Sequence, residues 1–189
     1  MFKYFKIITL LFSLGFVNHS FAHDSNIATF HIRHMADDLW VYELMTPLHG
    51  LDTSLRAAMK GDTDLANLSK ESTEYKQKLI SHIKSDFDVR AIEYSEDKGA
   101  TKPVKLSLGK GRIKLNGHQS VFIFEIKGMP KDVMQLDFRL ASMSNNDSQN
   151  NLLRLIDGQK TKKYLLNQNN DFSGQSIGFF HSVIPKTSS

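Results

Sequence analysis

Seven histidines follow residue 22 of this chain: His23, His31, His34, His49, His82, His118 and His181. Four of them fall within 27 positions, from His23 to His49. If the chain is cut before His23, that residue offers a free amine and a ring nitrogen to one metal, and the chelate closes without any folding. A second histidine from His31 or His34 would complete a three-nitrogen site that suits copper(II), with zinc as the less demanding occupant. His49 lies further off. Met35 and Met45 add soft thioether donors suited to copper(I). Against this, His31 and His34 are three apart on a stretch that reads as a strand, and period-two geometry sends them to opposite faces. The ordinary alternative is surface histidines with methionines as core filler.

Other chemistry is thinner. Asp37-Asp38 is a carboxylate pair, but adjacent turn residues point apart. Asp86 and Asp88 flank Phe87 at a helix end and read as a solvated terminus. No G-x-S-x-G elbow surrounds any serine. Gly109-Lys110-Gly111 lacks the remainder of a phosphate loop. The Asn-rich stretch 145–151 lacks the spaced carboxylates of a calcium loop. Trp40 and Tyr42 on one strand face read as core. Cysteine is absent, which excludes cysteine nucleophiles, zinc–thiolate sites and iron–sulfur clusters.

The premise of a free His23 comes from the first 22 residues. Lys3 and Lys6 form a positive start, Ile7 to Val17 is apolar, and Ser20-Phe21-Ala22 puts small residues at −3 and −1 of a cut after Ala22. This is the pattern of a secretory signal peptide. The apolar run is short for a membrane span, so retention as an anchor is the secondary reading. Residues 23–189, 167 of the 189, suit one domain with a sizeable core. Removing two lysines lowers the formal net charge from +4 to +2, and Lys and Arg do not collect in one run, which argues against a nucleic-acid binder. No later stretch is apolar enough to span a membrane. The expected location is periplasmic or secreted.

The elements follow from periodicity. Ala28, Phe30 and Ile32 alternate with polar residues, as do Trp40, Tyr42 and Leu44, so the two runs predict a hairpin that Pro47 ends. Residues 51–59 predict a short helix capped by Asp52 or Thr53. A longer helix starts at Ser69 and carries Tyr75, Leu79, Ile83 and Phe87 at four-residue spacing. From Phe87 the period changes to two. Residues 105–108 predict a weak strand, Gly109-Lys110-Gly111 a turn, and residues 112–115 and 121–126 a hairpin across Asn116-Gly117. Met134, Leu136, Phe138 and Leu140 alternate cleanly. Residues 152–156 and 161–166 form a last hairpin across Asp157-Gly158, and 177–184 an edge strand or tail. Seven or eight strands predict a mostly β fold, an antiparallel β-sandwich over 23–189 with a helical insertion at about 51–86.

The order of these pieces resembles a family of small exported β-sandwich proteins of unknown function. The matching pieces are His23, Leu39 to Met45, Leu51-Asp52-Thr53-Ser54-Leu55-Arg56, Val121-Phe122-Ile123-Phe124-Glu125 and Asn151-Leu152-Leu153-Arg154. The plan is also similar to the exported N-terminal domain of hydrogenase/urease accessory membrane proteins. That resemblance implies a part in handling metals of the nickel type. This chain lacks the membrane helices that follow in that group, which puts direct transport in doubt. The functional expectation is a non-enzymatic periplasmic binding or accessory module, meeting a membrane or periplasmic protein or a ligand through its sandwich loops. The alternative is a copper or zinc binder using His23, His31 and His34.

Overall fold

Alternating side chains build two facing sheets in the computed structural model, which describes residues 27–180 apart from 36–37, 61–64, 66, 96–98, 101 and 145–148. The fold is mostly β, with two helices. On β1 (Ile27–His34) and β2 (Trp40–Thr46), Ala28, Phe30, Ile32, Trp40, Tyr42 and Leu44 are buried. These two strands pair antiparallel as the expected hairpin. Helix α1 (Leu48–Ala58) and helix α2 (Thr73–Ser85) follow. β3 (Phe87–Ser95) leads to two short strands, β4 (Gly99–Ala100) and β5 (Val104–Lys105). β6 (Ser107–Lys114), β7 (Ser120–Lys127), β8 (Val133–Leu140), β9 (Asn150–Asp157), β10 (Lys160–Leu166) and β11 (Ser173–Ile177) complete the order.

The six-stranded sheet runs β10-β9-β1-β2-β7-β6. The five-stranded sheet runs β11-β8-β3-β4, with β5 also on β3. The one parallel junction in the larger sheet joins β1 to β9, so the first strand lies in its interior. The inner faces meet at Tyr42 against Phe87 and Phe138 against Tyr164, edge-on with ring centroids 5.0 Å apart in both pairs. Both helices meet the β6–β7 side of the larger sheet: Lys84 of α2 sits over the Phe124 ring, and Leu48 of α1 shares a cleft with Ile113 and Leu115. Leu51, Leu55, Tyr75, Leu79 and Ile83 join the common core.

Several local expectations shift. α1 begins at Leu48 after Pro47 with no side-chain cap; Asp52 is buried within the helix instead of capping it. Ser72, not Ser69, caps α2, accepting from the Tyr75 N–H. Ser69 pairs with Glu71. Phe87 opens a strand, because α2 stops at Ser85. Gly109-Lys110-Gly111 is not a turn: β6 runs through it with a register shift between Leu108 and Gly111. A Cβ on Gly111 would lie 2.2 Å from the Phe124 ring, so the close crossing requires glycine. On β8 a second shift, opposite Ile92 and Glu93, buries Val133 in place of Met134. A strand forms at Ser173–Ile177, ahead of the expected edge strand or tail at 177–184, of which 181–184 lie outside the described residues.

Candidate functional site

The outward face of the six-stranded sheet has the richest chemistry. The register aligns Lys163, Arg154, His31, Glu43, Ile123 and Arg112 in one row across all six strands. A neighbouring row reads Leu165, Leu152, Thr29, Met45, Val121 and Lys114. On the other flank stand Thr161, Ile156, Arg33, Val41 and Glu125. Among the described residues no helix or strand covers this face. His31 lies near its middle and is only 7% exposed. Its Nδ1–H donates to Glu43 Oε2 at 2.8 Å, directly across the strand pair. Its Nε2 and the Nε of Arg154 opposite are both buried without a hydrogen-bond partner.

His34 is on the other side of β1, at the end of the sandwich. Its ring stacks on Trp40 with centroids 4.6 Å apart, and its Nδ1–H donates to Asp157 Oδ1 at 3.0 Å. Phe180 closes edge-on against Trp40. The strand therefore runs through both histidines and separates them, as period-two geometry requires. His23 and His181 lie outside the described residues, as do Asp37 and positions 145–148. Among the described residues no three His, Cys, Asp or Glu side chains are grouped to hold a metal ion. His49 and His118 are exposed, and Asp38 is an exposed turn residue with φ 61°.

Sequence reading missed two polar clusters under the helical insertion. The first is centred on Asp52, which accepts from Tyr75 O–H at 2.8 Å and from Arg56 Nε at 3.1 Å, and pairs with Lys70 Nζ at 3.1 Å. Burial alone would raise its carboxyl, but the Tyr75, Arg56 and Lys70 hydrogen bonds outweigh it and hold it below the usual range. The cluster ties α1 to α2. Burial and the bond to Asp52 push the Tyr75 hydroxyl well above its ordinary value.

The second cluster brings together a serine, a histidine and an aspartate. Ser54 Oγ and His82 Nε2 share a hydrogen bond of 3.0 Å, and Asp86 Oδ2 lies 3.6 Å from that same Nε2. Nucleophilic catalysis needs the carboxylate on the other ring nitrogen, where it orients the base without competing with the hydroxyl. Ser54 is also buried, and its Oγ accepts from the Met143 N–H at 3.1 Å. The cleft between α1 and α2, about 530 Å³, is lined by His82 but not by Ser54. The three therefore do not form a nucleophile–base–orienter chain. Ser54 instead anchors Met143, whose φ of 80° is a costly conformation for a non-glycine residue. Burial raises the Asp86 carboxyl above its usual value, against the pull of His82, Ser85, Arg139 and Ser142.

The outward face of the smaller sheet is polar and self-neutralised. Asp88 faces Arg139 and Arg90 faces Asp137 across β3 and β8. Arg139 is further held by Asp171 through two bonds at 3.0 and 3.2 Å.

No protein-family model matches the chain, and no curated protein matches it.

Proposed function

We propose that this chain is an exported, non-enzymatic binding or accessory module, working in the periplasm or outside the cell after removal of residues 1–22. The resemblance to the small exported β-sandwich family, and to the exported domain of hydrogenase/urease accessory membrane proteins, belongs to the same proposal. One observation carries it: the outward face of the six-stranded sheet mixes aliphatic side chains with cations and is covered by no element among the described residues. Apolar side chains gathered on an exposed face and rimmed by polar ones mark interaction sites. The binding surface is thus the sheet face more than the sandwich loops. The test is cross-linking in intact exporting cells. Specific adducts are expected, and a complete lack of them refutes the proposal.

A copper or zinc binder is the second reading, favoured by one feature. His34 has its Nδ1 fixed by Asp157 while the side chain is 36% exposed, and Met35 beside it is exposed. A carboxylate on one ring nitrogen is how metal-binding histidines are commonly oriented toward the ion through the other. Calorimetric titration of copper(II) and zinc into the processed protein tests this. One-to-one binding that weakens in His23→Ala and His34→Ala is expected. Unchanged affinity in both variants removes the reading.

A further inference from the structure

We infer that the outward face of the six-stranded sheet docks a protein whose contact surface carries acidic groups on two sides of a mixed, partly apolar centre. This rests on the binding-module reading and names the chemistry of its partner.

The charges give the first reason. Arg154 and Lys163 stand at one margin of the face, on β9 and β10, and Arg112 and Lys114 at the other, on β6. None of these four cations has a carboxylate partner among the described residues, whereas the face's carboxylates, Glu43 and Glu125, are taken by His31 and Lys127. Between the margins lie Val41, Met45, Val121 and Ile123 together with Thr29, Arg33 and the His31–Glu43 pair. Four strand spacings separate Arg154 from Arg112, roughly 19 Å at about 4.8 Å each. Aliphatic side chains among a paired His31–Glu43, inside cationic margins, match the mixed composition of a protein interface.

The unmet polar atoms give the second reason. The Nε of Arg154 is buried without a hydrogen-bond partner among the described residues. A carboxylate brought in beside it would supply the planar acceptor that a guanidinium takes bidentately.

Size and composition select the occupant. Six strands about 4.8 Å apart and some seven residues long outline a footprint of roughly 550 Å² before side-chain relief. That approaches the ~800 Å² each partner buries in a standard interface. A second copy would set cations against cations in a self-complementary contact. A membrane surface is disfavoured because the face has no aromatic side chain to seat in the interfacial layer, and Glu43 occupies its middle. Nucleic acid would leave exposed Ile123 and Leu165 without apolar contact.

The test uses the full chain in cells that export it. A photo-cross-linking phenylalanine analogue replaces Ile123 or Leu165, and separately Gln175 on the smaller sheet. Lys163→Glu and Arg112→Glu, both at exposed positions, are combined in the same backgrounds, and their thermal melts are compared with the parent's. Position 123 and position 165 are expected to label one protein, within an acidic segment. Labelling should fall at least tenfold on the double charge reversal and drop with added salt, while position 175 labels nothing. Labelling of a protein that ignores the charge reversal overturns the acidic-partner inference and leaves the module reading standing. Adducts only with lipid, with nucleic acid or with a second copy also overturn the inference. So does flotation of the purified chain with phosphatidylglycerol vesicles that the charge reversal abolishes. No adduct at any of the three positions overturns the inference and the module reading together.

Discussion

The two outward faces of the sandwich obey one period-two rule and differ in where their charges find partners. On the smaller sheet the register sets Asp88 against Arg139 and Arg90 against Asp137, and Lys105 and Asp171 add further opposite charges. On the larger sheet the register sets Arg154 beside Lys163 and His31, and it sets Arg112 beside Ile123. A formal net charge of +4 could be spread evenly or left uncompensated in one place, and only strand register decides between these. The smaller face balances its charges, although Asp88 Oδ1 is buried without a hydrogen bond, with Arg90 and Lys105 at 3.7 and 3.9 Å. The larger one leaves Arg154, Lys163, Arg112 and Lys114 without carboxylate partners among the described residues.

The contrast can be probed first at the two edges, where each sheet lays a glycine over an aromatic ring. Gly111→Ala should destabilise by about 3 kcal/mol, because the new methyl meets Phe124 at 2.2 Å and the Ile123 carbonyl at 2.6 Å. Gly174→Ala on β11 should cost less, about 1 kcal/mol, since only the Phe138 ring is approached, at 2.8 Å. Guanidinium melts would measure both, and equal costs would remove the distinction between the edges.

Next comes the middle of the larger face. Glu43→Ala leaves the buried His31 Nδ1–H without its acceptor and should cost about 2 kcal/mol. Asp137→Ala on the smaller face, where Gln135 stays within reach of water, should change stability by less than about 0.5 kcal/mol. Similar losses in urea unfolding would show that the two faces are equally bound into the fold.

Acid sharpens the comparison by isolating the helical insertion from both faces. Asp52→Asn should cost about 1 kcal/mol at neutral pH, discounted because Arg56 and Lys70 are partly exposed. The folded carboxyl sits below its unfolded value, so its contribution is complete above the unfolded pKa. It is lost as pH falls through the folded one. The difference between wild type and variant, followed by denaturant melts from pH 7 downward, should therefore close in acid. A gap that widens there would contradict the assignment. The smallest effect belongs to Arg139→Ala: its pair with Asp171 is exposed, and no change in the melt should be resolved.

Much of this architecture was legible because alternation is local. Trp40, Tyr42 and Leu44, or Leu136, Phe138 and Leu140, announce a strand and its buried side without outside information. The same rule separated His31 from His34. What escaped reading depended on distant partners. Asp52 reads as a helix cap until Tyr75 and Lys70, contributed by α2 and the α1–α2 connection, turn it into a buried junction. Nothing near Ser54 announces His82 and Asp86, which only the packing of α1 on α2 brings to it. Gly109-Lys110-Gly111 has turn composition, and only the closeness of Phe124 makes it a bulge. The bare cations of the larger face needed the register of β9 against β1, joined across more than a hundred residues.

That long-range junction also sets a schedule. Synthesis delivers β1 and β2 early, yet the seat beside β1 stays empty until Asn150–Asp157 arrives. At about 5–20 residues per second the wait is on the order of ten seconds, and it recurs whenever the chain is threaded N-terminus first. Throughout it the β1 edge offers unpaired backbone groups above an apolar inner face, the condition under which strands recruit the wrong neighbour. Chains ending before residue 150 would stay in that condition, open to aggregation or to a chaperone. The last third of the sequence therefore governs when the first strand becomes safe.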